Sequence, residues 1–323
     1  MKKFFSILIL TALLVSAHPA NAVCAQVQGN MPQAAAEQSS EERALRKAAE
    51  QGDPAAQYEL GLALVQPIPP HFGQSKEGEE ATVLLEKSAD QGNLDAAFLL
   101  GYIYQYATGV EKNITKGITW MAKAADSGHV AAQITLATIY KVGDGVMKNR
   151  IKARDLYAKA AESGNNNART ALATMYMDGD GIHQDGKMAL AWFRRAVKDE
   201  HAPAMLGLGR LYAKSEFNFQ NGPKAVYWTH QAIAHGYAPA IYALGLLYRD
   251  GVGTVLPDAY MAYLWLKLAF ELSGKVSGKP DAIPYWISNA QRVLTPEQLK
   301  KADAELAVWL KKGPPSPPAK EPE

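Results

Sequence analysis

Tyrosines recur at a step of 36 residues through most of this chain, and no other feature constrains its fold as strongly. The tyrosines in register are Tyr104, Tyr140, Tyr176, Tyr212 and Tyr248. Small residues keep the same step, in a column formed by Gly101, Ala137, Ala173, Gly209 and Gly245. A fixed period of this length is typical of a chain built from stacked copies of one supersecondary unit.

Each copy is predicted to be a pair of helices. In the copy that begins near Ala132, small and apolar residues fall on one face of a first helix, which Gly143 then interrupts. A second amphipathic helix begins near Ala153 and stops at Gly164. Neither helix pair has a face wide enough to bury itself, so the copies must stack on one another. The sequence therefore predicts an all-α solenoid.

The end copies depart from the regular step. Gly61 lies 40 residues before Gly101, which places extra residues in the loop over 66–73. Residues 41–51 are predicted to form an unpaired helix that caps the front of the array. Near the back, a register slip of one residue leaves Trp265 one place beyond the column of Trp120, Trp192 and Trp228.

Two further helices are predicted after the repeats, near 283–293 and 296–311. Thr295 and Gln298 have the spacing of a capping box at the start of the second one. We expect region 276–312 to close the back end of the array.

The N-terminal residues have the pattern of a secretory signal peptide. Lys2 and Lys3 precede an apolar run that is too short to span a membrane, and small residues follow it. We expect region 1–22 to be removed by cleavage after Ala22, or after Ala25. The mature chain is then expected to be periplasmic or secreted, without a transmembrane segment.

Two terminal regions are expected to be flexible. Region 23–39 is rich in Gln and Ala without an apolar period, and 313–323 is mostly Pro, Lys and Glu. Cys24 is the single cysteine, so no intramolecular disulfide is expected.

The charge balance argues against a nucleic-acid partner. The 34 basic residues include Lys2 and Lys3, so a chain without its leader has as many bases as its 32 acids. Binding to phosphates requires clustered Lys and Arg, and no run longer than two occurs.

The repeat resembles the Sel1-like family. Its Leu-Gly-x-x-Tyr, Gly-x-Gly-Val and Ala-Ala-x-x-Gly elements are matched at 100–104, 143–146 and 124–128, and Trp120 matches its tryptophan. This resemblance covers about six units over 41–275, and it implies a right-handed α-solenoid of helix-turn-helix repeats related to tetratricopeptide repeats. Members of that family are typically adaptors for other proteins.

The chain departs from the family pattern at a few positions. Leu156 and Leu264 stand in place of tryptophan, and Glu200 stands in place of glycine. The fifth inter-helix loop, over 213–219, has no Gly-x-Gly.

Motifs for catalysis and for metal binding fail on their details. Residues 181–188 approach a phosphate-binding loop, but Met188 stands where Ser or Thr holds magnesium, and the segment lies between predicted helices. The seven histidines are scattered without HExxH, and familiar nucleophile signatures do not occur. We therefore predict no catalytic residue, no metal, no cofactor and no enzymatic activity.

Partner contacts are expected on the first helix of each copy, opposite its core side, where the columns vary. Aromatic and Arg side chains dominate binding hot spots, which selects Phe98, Tyr102, Arg210, Tyr242 and Arg249. Packing of these side chains against the neighbouring helix is the alternative. Phe217 and Phe219 in the irregular fifth loop are a second candidate, because exposed loop aromatics often mark contact surfaces.

These features predict an exported scaffold that binds a protein partner in the bacterial envelope, in signalling, assembly or host interaction. The alternative is a cell-wall-associated protein that binds or acts on peptidoglycan or β-lactams. A secreted factor that engages host proteins is a third reading of the same leader and repeats.

Overall fold

The computed structural model describes residues 42–273, 282–317 and 319–323. Within these ranges the chain forms fifteen helices, and the extended pairing is limited to an isolated bridge between Val252 and Val255. The first helix, α1, covers 42–50. The others are α2 (Pro54–Val65), α3 (Lys76–Asp90), α4 (Leu94–Tyr106), α5 (Ile114–Asp126), α6 (Val130–Val142), α7 (Arg150–Glu162), α8 (Asn166–Asp178), α9 (Gly186–Val197), α10 (Ala202–Ala213), α11 (Gly222–Ala234), α12 (Pro239–Asp250), α13 (Ala259–Ser273), α14 (Ile283–Val293) and α15 (Pro296–Lys312).

The prediction of an all-α solenoid is confirmed. Helices α2 to α13 pair in sequence, and each pair packs on the next. One continuous hydrophobic core extends from Val65 to Ala225, and a second cluster around Trp265 lies at the back end. The predicted leader, 1–22, and the predicted flexible region, 23–39, lie outside the described residues. Among the described helices, none combines the length and the apolar character that a membrane crossing requires.

The small-residue column marks the closest approach of the two helices in a pair. A Cβ placed on Gly101 would lie 2.3 Å from Cγ of Met121, and one placed on Gly209 would lie 2.3 Å from Oγ1 of Thr229. The glycines therefore allow these first helices to contact their second helices at backbone distance.

A column of capping residues sets the start of the second helices. The side chains of these residues accept hydrogen bonds from backbone N–H groups in the first helical turn, and the residues are Asn113, Asn149, Asp185 and Asn221. Each also donates its own backbone N–H to the carbonyl of the column tyrosine nine residues earlier, for example Asn221 to Tyr212 at 2.9 Å. The loop between paired helices thus keeps one length.

The register slip near the back end is an insertion of one residue in this loop. Asp258 caps α13 and donates its N–H to the carbonyl of Tyr248 at 2.7 Å, ten residues earlier rather than nine. Trp265 is therefore the structural counterpart of Trp228, and Leu266 packs on Gly245 as Thr229 packs on Gly209.

Helices α14 and α15 cover the last repeat. The indoles of Trp265 and Trp309 lie 4.9 Å apart between ring centroids, and Trp265 is fully buried. The predicted capping box of Thr295 and Gln298 is present, with both reciprocal hydrogen bonds.

The C-terminal tail folds back onto the repeats, whereas its composition suggested flexibility. The indole N–H of Trp228 donates to the Glu321 carboxylate at 3.1 Å, and Arg194 lies 3.8 Å from the same oxygen. Asn221 Nδ2 approaches the backbone carbonyl of Glu323 at 3.5 Å. The partners of the tail lie about a hundred positions earlier in the chain. Their contacts place 319–323 against α9 and α11.

Candidate interaction surface

The first helices present a row of variable side chains on the side away from their paired helices. This row, called the first-helix face below, consists of Tyr102, Thr138, Thr174, Arg210 and Leu246 with Ile134, Thr170, Leu206 and Tyr242. Arg210 and Thr138 are exposed, and the remaining members are partly exposed. Because α8 and α10 contact each other directly, side chains of successive repeats lie next to one another on this face.

Phe98 does not belong to the exposed face, and its predicted role as a partner contact is corrected. Its side chain is only 2% exposed, and its ring lies 5.1 Å from that of His129. His129 is itself held in place, because Nδ1 accepts a hydrogen bond from the N–H of Ala132 and Nε2 lies 3.0 Å from the Asp95 carboxylate. The hydrogen bond from His129 lowers the pKa of Asp95. Phe98 therefore packs between two repeats.

Arg249 is partly exposed but also engaged within the chain, and its assignment to the partner surface stays a prediction. Its guanidinium lies over the ring of Trp286 on α14, 3.7 Å from the ring centroid, and it pairs with the neighbouring Asp250. Arg249 thus attaches a closing helix to the last repeat. The position of α14 had no signal in the repeat pattern.

Tyr102 lies in an aromatic group that the sequence did not reveal. Its ring centroid is 4.7 Å from that of Tyr106, and His71 in the long first loop meets Tyr106 edge-on at 6.1 Å. Burial raises the pKa of Tyr102, and burial together with Asp144 raises the pKa of Tyr106. Both phenols therefore stay protonated at neutral pH and can donate hydrogen bonds.

The fifth loop folds its aromatics inward, so the expectation of exposed loop aromatics is wrong. Phe217 and Phe219 stack in parallel with centroids 5.5 Å apart, and both are partly buried. Phe217 covers Gly186, and Phe219 meets Tyr212 edge-on at 6.1 Å. The two rings fill the space above the helix pair in this loop, which has no Gly-x-Gly.

Exposed apolar side chains occur instead around the loop between α6 and α7. Met147 is 87% exposed, and Val142 and Ile151 are each more than half exposed. The repeat pattern gives no signal for their exposure, because the Gly-x-Gly-Val element indicates only a turn between the paired helices.

No group of three or more His, Cys, Asp or Glu side chains in the described ranges is placed to hold a metal ion. The phosphate-loop-like segment 181–188 joins helices α8 and α9, and Asp185 serves as the cap of α9.

An array of stacked helix pairs with a variable outer row defines an α-solenoid interaction protein. The particular solenoid is set by its repeat: the Sel1 repeat model matches 45–53, 54–93, 94–129, 130–165, 167–201, 202–237 and 238–273. The chain belongs to the Sel1 repeat family, whose members generally mediate protein–protein interaction and are typically non-enzymatic. The first matched segment is a fragment, and it overlaps α1 over 45–50.

Among the solved structures similar to this chain, two have the Sel1-like repeat fold over most of its length. One is a protective antigen of uropathogenic Escherichia coli strains that displays an SLR fold, with 28% identity over 87% of this chain and a TM-score of 0.64. The present chain spans 61% of that protein's length. The other is a Sel1 repeat protein from Oxalobacter formigenes, with 27% identity, a TM-score of 0.61, and coverage of 73% of this chain and 96% of that one. No curated protein sequence gives a significant match.

Proposed function

We propose that this chain is an exported scaffold of the bacterial envelope that binds a protein partner on its first-helix face. The observation that carries the proposal is the placement of Arg210, Tyr102 and Tyr242 on that face, accessible to solvent. The side chains at the same positions of the intervening repeats, Thr138 and Thr174, are small and polar. A surface with separated aromatic and Arg anchors is selective for one partner shape.

Binding on this face is favoured by a low entropic cost as well as by contact area. A solenoid built on short loops holds its first helices in fixed positions, so little conformational freedom is lost when a partner docks. Tyrosine adds a large contact area and a hydrogen-bond donor at low entropic cost. Tyr102 is further restrained by its contact with Tyr106.

Export is part of the proposal and rests on the leader-like pattern over 1–22. Fractionation of cells that carry a C-terminally tagged full chain, with N-terminal sequencing of the product, tests this part. A product that retains residue 1 and stays in the cytoplasm would refute export.

The binding surface is tested by photo-crosslinking in intact cells. A photoreactive amino acid is placed at Tyr242 or at Arg210, and at Met188 on the second-helix side as a matched control, since Met188 is 38% exposed. We expect one protein to be captured from the first two positions and not from the third. Equal capture from all three positions would refute the assignment of the surface.

The double substitution Arg210→Ala with Tyr242→Ala then tests the anchors themselves. We expect the affinity for the captured partner to fall by about a hundredfold, on the scale of two hot-spot residues. The helical circular dichroism should remain unchanged, because Arg210 is exposed and Tyr242 lies at the edge of the hydrophobic core.

A further inference from the structure

In three of the grooves between successive second helices, a tryptophan from the later helix accompanies a polar side chain from the earlier helix. These pairs are Glu86 with Trp120, Arg194 with Trp228, and His230 with Trp265. The third pair is one residue further apart because of the insertion before α13.

The three grooves differ in what fills them. In the groove between α11 and α13, the indole of Trp309 covers Trp265. Between α3 and α5, a cavity of about 410 Å³ is lined by Trp120, Glu86 and Asp90 among others. The groove between α9 and α11, called the tail groove below, holds residues of the C-terminal tail.

The tail groove recognises a carboxylate through convergent donors. The indole N–H of Trp228 donates to Glu321 at 3.1 Å, and the Arg194 guanidinium lies 3.8 Å from the same oxygen. Arg194 is oriented by a 3.0 Å hydrogen bond to the Tyr212 hydroxyl. A half-buried Trp that faces a fixed Arg therefore provides an apolar wall and a positive charge for an acidic side chain.

The charge at the Arg194 position favours the tail in this groove. The residues at the Arg194 position of the earlier repeats are Glu86, Ala122 and Ala158. A carboxylate would be repelled by Glu86, and it would find no cation at either alanine. Within this set, Arg194 alone complements Glu321.

The tail also has the conformation that a shallow groove accepts. Five of the last ten residues are proline, which favours an extended polyproline conformation with little entropy left to lose on docking. The contacts are few and partly solvated, with Arg194 53% exposed and Glu321 32% exposed. Each of these contacts contributes little binding free energy. The tail stays in the groove because it is tethered to α15, which keeps its local concentration high.

We propose that the tail groove is a binding site for an extended, proline-containing acidic peptide of a partner protein, and that the chain's own tail occupies it as an intramolecular competitor. A partner segment with a Glu beside prolines binds by displacing residues 319–323. This site lies on the second helices, so it is separate from the first-helix face, and its failure would leave the proposed function standing.

The test uses the full chain and a fluorescein-labelled peptide with the sequence of 314–323. Peptide binding is followed by fluorescence anisotropy for the unmodified chain and for Glu321→Ala. Because this substitution releases the tethered competitor, we expect the peptide to bind Glu321→Ala about tenfold more tightly than the unmodified chain. A peptide with both Glu replaced by Lys should not bind.

Substitutions in the groove provide the decisive comparison. Adding Arg194→Ala or Trp228→Phe to Glu321→Ala should weaken peptide binding about tenfold, whereas Trp120→Phe in the equivalent groove should not. The Trp228 indole N–H resonance should shift in the Glu321→Ala chain, and that of Trp120 should not. Equal peptide binding by the unmodified chain and Glu321→Ala, or by Glu321→Ala with and without Arg194→Ala, would overturn the proposal. A dimer of the unmodified chain that dissociates on Glu321→Ala substitution would overturn the intramolecular arrangement.

Discussion

His230 and Trp265 meet edge to face, with ring centroids 5.0 Å apart, where the closing helices cover the last repeat. His230 is 8% exposed, and burial lowers its pKa to about 4. An imidazole near its ordinary pKa of about 6.5 in the unfolded chain takes up a proton more readily than the buried one. The folded state therefore favours the neutral imidazole of His230.

This burial predicts acid sensitivity at the back end of the solenoid. Since the folded-state pKa is depressed, the stabilisation is complete above about pH 6.5 and is lost as the pH falls toward 4. At pH 5 the loss amounts to about 2 kcal/mol. This loss in the free energy of unfolding is measured by urea titrations at pH 7 and pH 5, monitored by tryptophan fluorescence.

The matched variant is His230→Gln, which cannot take up the proton. Its free energy of unfolding should fall less between pH 7 and pH 5 than that of the unmodified chain. An identical fall in both proteins would mean that carboxylates such as Asp95, whose pKa is also lowered, account for the whole effect.

The close contact at Gly101 predicts that an added methyl group destabilises the second full repeat. Helix propensity favours Ala over Gly by about 1 kcal/mol, yet the new Cβ would meet Met121 at 2.3 Å and the Gly117 carbonyl at 3.0 Å. We expect Gly101→Ala to lower the free energy of unfolding by about 1–2 kcal/mol net. Ala137→Gly, in the same column, measures the difference in helix propensity between Ala and Gly in this fold. A higher free energy of unfolding for Gly101→Ala would contradict the steric clash with Met121.

Glu200 has a left-handed backbone, and this predicts a stabilising substitution. Its φ is 54°, at the position where Gly128, Gly164 and Gly236 have positive φ. A non-glycine residue in this region costs about 1–2 kcal/mol, partly offset by the greater freedom of unfolded glycine. We expect Glu200→Gly to raise the free energy of unfolding by about 0.5–1 kcal/mol. Glu162→Gly, in the last turn of α7, should lower the free energy of unfolding. A lower free energy of unfolding in both variants would refute backbone strain at Glu200.

An ion pair between Lys267 and Asp303 attaches α15 to α13. Their atoms lie 2.6 Å apart, and the Tyr263 hydroxyl donates to the same carboxylate at 2.7 Å. The hydrogen bond from Lys267 lowers the pKa of Asp303. Because Asp303 is half exposed, we expect Asp303→Asn to cost only about 1 kcal/mol. Thermal unfolding measures this change, with the exposed Lys300→Gln as the control; equal effects would show that the pair adds nothing.

Local repetition made much of the architecture predictable. The signals that predict it are the 36-residue step, the small-residue column and the turn glycines. Each depends on contacts within one helix pair, which is only a few dozen residues long. The capping column of Asn113, Asn149, Asp185 and Asn221 follows the same 36-residue step in the sequence.

The candidate surface was only partly predictable, for a physical reason. Helical periodicity places Phe98 and Arg249 on the outer side of a first helix, but it does not say which neighbour covers that side. Packing against His129 removes Phe98 from solvent, and stacking on Trp286 engages Arg249. Arg210 and Tyr242 remain accessible.

By itself the sequence determined that the chain is a stack of helix pairs, where each pair turns, and which small residues lie between its helices. The tertiary structure alone decided which parts of the outer surface stay open. Trp265 is covered by Trp309 and Trp228 by Glu321, through segments that return from distant positions in the chain. A repeat pattern encodes contacts between neighbouring copies, whereas the return of a terminal segment depends on shape and charge complementarity that exists only after the copies have stacked.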